Sequence, residues 1–291
     1  MKLFFIALPV ILMVSCAVDR DQRDKEKIIA VSILPQKYVV EKIAGDRFDV
    51  MVMIPPGSSP ATYDPSSRQI AGLSGAQTYL KMGCLGFENA WMERIQDAHP
   101  DLRVLNISEG IDLIRKDHDH DGRRSGIDPH TWMSVRNMRI LALNTYKAIL
   151  EADPEHQLEY ISRYNQWQKA LIRLDDSIGR VFNGYDQRSF IIYHPALSYY
   201  ARDYHLDQIA IEREGKEPSM KHMARVLSYA KSSGIDRIFV QREFDKAHAD
   251  SFVKELDGRM VTIDPLAFDW GSQIRYITSQ LTQLFKQTNG R

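Results

Sequence analysis

The sequence predicts an α/β protein of two lobes, each built on a central, mostly parallel sheet, joined by one long rigid helix. Three observations carry this expectation. Strand-like and helix-like segments alternate from Ile28 to Asn106, a rhythm that implies parallel strands covered on both faces. The alternation resumes at Ser189 and continues to Gln287. Between the two blocks runs a single helical period too long for one small domain, and a strut between lobes is its simplest use.

In the first block, Ile28 to Leu34 is a β-branched run of buried-strand type, ended by Pro35. Lys37 to Ala44 reads as a helix closed by Gly45, and Phe48 to Ile54 as a second strand stopped by Pro55-Pro56-Gly57. Pro65 to Ser74 reads as a helix with Asp64 as its N-cap. Thr78 to Met82 is a short strand running into Gly83-Cys84-Leu85-Gly86, followed by a helix at Glu88 to Ala98 and a strand at Arg103 to Asn106. Lys116 to Gly126 contains no apolar residue and reads as a mobile loop, and Val135 to Glu151 is helical.

Asp153-Pro154 opens the long pattern, which runs to Gly184 with Leu158, Ile161, Tyr164, Trp167, Leu171, Leu174, Ile178 and Val181 at steps of three and four. At about 1.5 Å per residue this helix would be roughly 45 Å long. A helical hairpin broken near Gly179 is the alternative. In the second block, strands are expected at Ser189 to Tyr193, Gln208 to Ile211, Arg237 to Gln241 and Arg259 to Ile263. Helices are expected at Leu197 to Tyr204, from Ser219 to about Ser233, at Ala247 to Leu256 and at Trp270 to Gln287.

The amino terminus reads as an export signal. Lys2 precedes the apolar run Leu3 to Val14, which is too short to span a bilayer and has the length of a signal-peptide core. Met13-Val14-Ser15-Cys16 resembles a bacterial lipobox, in which Cys16 is acylated and becomes the first mature residue. The charged stretch that follows, to Lys27, cannot bury a core and reads as a solvated tether. The expected division is residues 1–15 signal peptide, 16–27 tether, 28–152 first lobe, 153–184 connecting helix and 185–291 second lobe. The net charge is zero, which gives no support to a nucleic-acid partner. Of two cysteines, Cys16 is assigned to lipid, so Cys84 has no disulfide partner.

Three phrases carry the chemistry: Asp128-Pro129-His130-Thr131-Trp132, Tyr193-His194-Pro195-Ala196 and Ile263-Asp264-Pro265-Leu266-Ala267. Each sets a metal-capable side chain beside a proline at the edge of an apolar run. Two imidazoles and a carboxylate suit zinc or a similar divalent ion. In open α/β sheets ligands bind beyond the carboxyl ends of the strands. His194 and Asp264 follow expected strands and His130 precedes an expected helix. If the strut holds the two lobe edges face to face, all three meet in the cleft. Taken singly, each phrase reads as well as a structural loop or a turn. The run His118-Asp119-His120-Asp121 is either a solvated charged loop or an auxiliary tract that gathers metal.

The order of these phrases resembles the metal-binding solute receptors of bacterial ABC importers, the zinc and manganese uptake family known as cluster A-I. The matching segments include Ile54-Pro55-Pro56-Gly57-Ser58-Ser59-Pro60, Thr62-Tyr63-Asp64-Pro65-Ser66, Gly86-Phe87-Glu88 with Trp91, the three phrases above, and Gly215-Lys216-Glu217-Pro218-Ser219. The resemblance covers nearly everything from Ile28 onward. It implies a metal held between two lobes by His130 from the first and by His194 and Asp264 from the second. A histidine at position 194 resembles the zinc-type members, with manganese or another divalent ion as second choice. It also implies a membrane permease as partner and a monomeric, lipid-anchored receptor. One departure stands out: the resemblance implies a further histidine, usual in the family directly after the Ser-Pro of the first-lobe loop, where this chain has Ala61. Water or the Cys84 thiolate could fill that place, or Cys84 could be a small buried residue. Glu88 matches the family as a supporting carboxylate.

Two rival classes remain open at this point. An exported zinc hydrolase would also use three ligands and an open position, but the sequence contains no His-Glu-x-x-His helix and no evident general base beside a ligand. A surface adhesin would keep the fold for contact rather than transport.

Overall fold

The computed structural model describes residues 27–115, 126–212, 218–244 and 247–290. Cys16, His118 and His120 lie outside them. The first lobe contains β1 (Ile28–Val31), α1 (Leu34–Ala44), β2 (Asp49–Val52), α2 (Ser67–Gly72), β3 (Ala76–Lys81), α3 (Gly86–Ala98) and β4 (Arg103–Asn106). Its four parallel strands lie in the order β2-β1-β3-β4. α4 (Val135–Ala152) leads to α5 (Gln157–Phe182). The second lobe contains β5 (Ser189–Ile192), α6 (Ser198–Tyr204), β6 (Asp207–Ala210), α7 (Met220–Ser232), β7 (Arg237–Gln241), α8 (Ala247–Leu256), β8 (Arg259–Ile263) and α9 (Trp270–Asn289). Its order, β6-β5-β7-β8, repeats the first sheet's plan and is again all parallel. Because both sheets are parallel, the carboxyl ends of their strands lie along one edge of each lobe, where a ligand would sit.

The connecting helix is present, and its 26 residues make it about 39 Å long. It packs on α4 and α1 of the first lobe and on α6 and α9 of the second. Tyr164 stacks on Tyr146 at 4.7 Å, and Trp167 meets Tyr38 edge-on at 6.0 Å. Its buried stripe is Tyr160, Trp167, Leu171, Ile178 and Phe182. That differs from the stripe expected from sequence at both ends, where Leu158, Ile161 and Val181 are exposed. In the middle the expected phase holds, since Trp167, Leu171 and Ile178 are buried; at the ends Tyr160 is drawn in by its hydrogen bond to Asp153 and Phe182 packs on Tyr200, Tyr204 and Phe285.

Two other local expectations are corrected. The N-cap of α2 is Ser66, whose hydroxyl accepts from the Gln69 amide, while Asp64 accepts from Trp91 Nε1 at 3.0 Å. The opening helix begins at Leu34 rather than Lys37, with Pro35 inside its first turn, where a missing amide costs nothing.

The lobes are clamped beside the cleft. Trp132, just after His130, donates its indole N–H to the Pro265 carbonyl at 2.8 Å. Trp270 donates back to the Trp132 carbonyl at 2.7 Å. Tyr199 on α6 accepts from the Ile114 amide and donates to the Asp128 carbonyl at 2.8 Å. Both tryptophans are buried, so each lost bond would strand a polar group away from water. Trp270→Phe keeps an aromatic ring and removes one donor. It is expected to destabilise the protein by about 2 kcal/mol, seen as a lower urea midpoint at unchanged slope. An unchanged midpoint would show that the clamp contributes nothing.

Candidate metal centre

The fold brings His130 and His194 together. Their ring centroids are 5.2 Å apart and the rings meet edge to face. His194 lies two residues beyond β5, and His130 lies just before the 3-10 turn Thr131–Met133 that leads into α4. Both are largely withdrawn from solvent, with side chains 15% and 19% exposed respectively.

Each imidazole has its Nδ1 on a buried carboxylate. His130 Nδ1 is 2.9 Å from Asp128 Oδ1, which also accepts from the His130 amide. His194 Nδ1 is 2.9 Å from Glu212 Oε2. Burial alone would raise the Asp128 carboxyl, but hydrogen bonds from His130 and Ser198 and the His130 charge outweigh it and hold Asp128 at about 2. The carboxylate is therefore ionised throughout the neutral range and fixes the Nδ1–H tautomer of His130. Nε2 is then the nitrogen each ring offers to an ion, the arrangement that orients ligating histidines in metal sites.

Further contacts brace the second-lobe histidine. Gln241, at the end of β7, donates to the His194 carbonyl at 2.5 Å, and Phe244 stacks on the imidazole at 4.7 Å. The histidines line a cavity of about 210 Å³ together with Ala61, Trp132, Glu243 and Phe244.

Asp264 directly follows β8 and lines an adjoining cavity of about 530 Å³ with Arg242, Glu243 and Phe268. Its Oδ1 accepts from the Leu266 amide, and its Oδ2 lies 3.5 Å from the Arg242 guanidinium. Among the described residues, no three His, Cys, Asp or Glu side chains form a group that could hold an ion as they stand. The two histidines meet, and Asp264 lines the next compartment beside a competing cation.

Cys84 lies behind the His130 loop. Its thiol faces the Met82 and Pro129 carbonyls at 3.8 and 3.6 Å. Burial, reinforced by the Glu88 and Asp128 charges, pushes it up to about 12. Glu88 is itself buried and accepts from Ser32 Oγ and from the Met82 and Gly83 amides at 2.7 and 2.6 Å. Its role in this structure is to shape the turn after β3 on which Cys84 sits. Arg115 and Ile127, the latter one residue before Asp128, pair in an antiparallel bridge; His118 and His120, between them in sequence, lie outside the described residues.

Three residues escaped the sequence reading. Asp128 was visible as the residue two before His130. Glu212 and Glu243 follow strand ends on β6 and β7, and that position was the available signal, but neither adjoins a proline or another ligand type.

The chain matches the model of the family described as "zinc-uptake complex component A periplasmic" over residues 29–284. A solved ZnuA, a deletion mutant with zinc bound, superposes with a TM-score of 0.83 at 32% identity, covering 89% of this chain and 98% of that one. The zinc-binding lipoprotein AdcA of Streptococcus pneumoniae is 26% identical over 91% of this chain, which spans 55% of AdcA's length. The high-affinity zinc uptake system protein ZnuA of Bacillus subtilis is 23% identical over 91% of this chain and 88% of that one.

Asp128→Asn preserves shape but removes the charge that fixes the His130 tautomer. It is expected to weaken divalent-metal binding about 10- to 100-fold, measured by competition with a chromophoric chelator. Unchanged affinity would show that Asp128 does not support a ligand.

Proposed function

We propose, for a chain that belongs to the family of periplasmic zinc-uptake components, that it captures zinc outside the cytoplasm and delivers it to the membrane permease of an ABC importer. The observation that carries this reading is the pair of carboxylate-oriented imidazoles facing each other at the lobe junction. The donor set fits the cargo: imidazole with carboxylate suits zinc, and manganese is the second choice.

We assign His130, His194 and Asp264 as ligands. Cys84 is assigned as a hydrogen-bonded thiol behind them, because its sulfur faces the Met82 and Pro129 carbonyls and it lines neither the cavity of the histidines nor that of Asp264. His118 and His120 are assigned to an auxiliary tract that feeds the site, because its base leads directly into Asp128 and His130. Cys16 is assigned as the lipid-bearing residue, with the charged segment after it as the tether of a monomeric receptor. Among the described residues no helix is long and apolar enough to cross a membrane; a lipid on Cys16 would hold the protein at the surface where the permease lies. The family is one of solute-binding receptors, not enzymes, and neither the site nor the family favours the hydrolase or the adhesin.

Parting His130 from His194 by lobe movement would break the Trp132–Pro265, Trp270–Trp132 and Tyr199–Asp128 bonds together. The carboxylate side is the cheaper door: Asp264 already shares its charge with Arg242, which is 75% exposed. Capture draws Asp264 toward the ion, and release returns it to the guanidinium.

Purified protein is expected to bind one zinc ion, and His130→Ala or His194→Ala to abolish tight binding. A deletion strain is expected to grow poorly only under zinc limitation. Retention of stoichiometric zinc by the double His→Ala variant would overturn the assignment. Zinc affinity is expected to fall steeply below about pH 6, where imidazoles take up protons, while Asp128 stays ionised. Unchanged affinity from pH 7.5 to 5, measured by chelator competition, would exclude imidazole ligation.

A further inference from the structure

The resemblance to cluster A-I receptors implies a histidine where this chain has Ala61, and the cavity that Ala61 lines holds another metal-capable side chain. Ala61 and Glu243 both line the compartment that holds His130 and His194. Glu243 also lines the neighbouring compartment with Asp264 and Arg242. Among the described residues it is the only acidic one lining both. Its place follows from the sequence: β7 ends at Gln241, the Gln241 side chain is tied to the backbone of His194, and Phe244 is stacked on the His194 ring. Glu243 sits between these two anchors. Its carboxyl feels both Asp264 and His194.

On the reading that His130, His194 and Asp264 hold the cargo ion, we infer that Glu243 is the fourth ligand and replaces the missing histidine at position 61. The set becomes two imidazoles and two carboxylates. Glu243 bridges the two cavities, so the ion's arrival draws Asp264 and the histidines into one shell. A second carboxylate in place of a third imidazole hardens the site, which narrows the preference for zinc over manganese.

The alternative occupants of the fourth place are water and the Cys84 thiolate. Three variants of the full chain separate these cases: Glu243→Gln, Cys84→Ala, and Glu243→Gln combined with Ala61→His. The probes are zinc and manganese chlorides, with affinities measured by chelator competition and folding checked by circular dichroism. Glu243→Gln is expected to lose about 100-fold in zinc affinity, the upper end seen even for groups that merely support a ligand. Cys84→Ala is expected to bind zinc as the wild type does. The double variant is expected to regain tight zinc binding and to discriminate against manganese more sharply than the wild type. Regain in the double variant also shows that loss in the single one was not misfolding. Wild-type zinc affinity in Glu243→Gln, or its loss in Cys84→Ala, would overturn the inference. Those results would leave the receptor reading intact, because that reading falls only if the histidine variants keep their zinc.

Discussion

Everything at the centre of this molecule depends on two imidazoles being held ring to ring with one nitrogen of each committed to a buried carboxylate. Asp128 and Glu212 do this from loops at opposite sides of the junction. Without them, two histidines packed 5.2 Å apart would be free to choose tautomer and rotamer. An ion would then have to supply the ordering free energy itself. With them, Nε2 is oriented before any ion arrives, and affinity gains what preorganisation saves.

The second constraint is mechanical. The segment that carries His130 is bonded to the second lobe through Trp132, Trp270 and the Asp128 carbonyl, while α5 packs on helices of both lobes. The histidine half of the site is therefore the fixed half. The carboxylate half is built differently: Asp264 and Glu243 line the more spacious adjoining cavity, beside an arginine that reaches into solvent. A receptor that must bind tightly and still let go needs one rigid wall and one yielding wall. The residue chemistry divides along that line, with aromatic hydrogen bonds on one side and an exposed ion pair on the other.

Much of this was legible in the sequence. The alternation of β-branched runs and amphipathic segments located both sheets, and the unbroken period after Pro154 located the connecting helix. His194 and Asp264 stood out because prolines follow them at strand ends, and topology brings such ends to one edge. Other features were hidden for physical reasons. The two ends of α5 are set by tertiary partners that periodicity cannot show, Asp153 for Tyr160 and the rings of Tyr200, Tyr204 and Phe285 for Phe182. Ser66 and Asp64 are both good caps, and only the contact with Trp91 decides between them. Glu243 looks like any polar residue after a strand, because its meaning comes from Ala61, far away in the chain, and from the histidine braced on either side of it by Gln241 and Phe244.

The central claim is that imidazole and carboxylate, without sulfur, hold the cargo between the lobes. X-ray absorption at the zinc edge of the loaded full-length protein addresses it directly. The account predicts a shell of nitrogen and oxygen at about 2.0–2.2 Å, with outer-shell scattering from two imidazoles and nothing at the roughly 2.3 Å of a zinc–sulfur bond. A sulfur shell, or a shell without imidazole scattering, would contradict it.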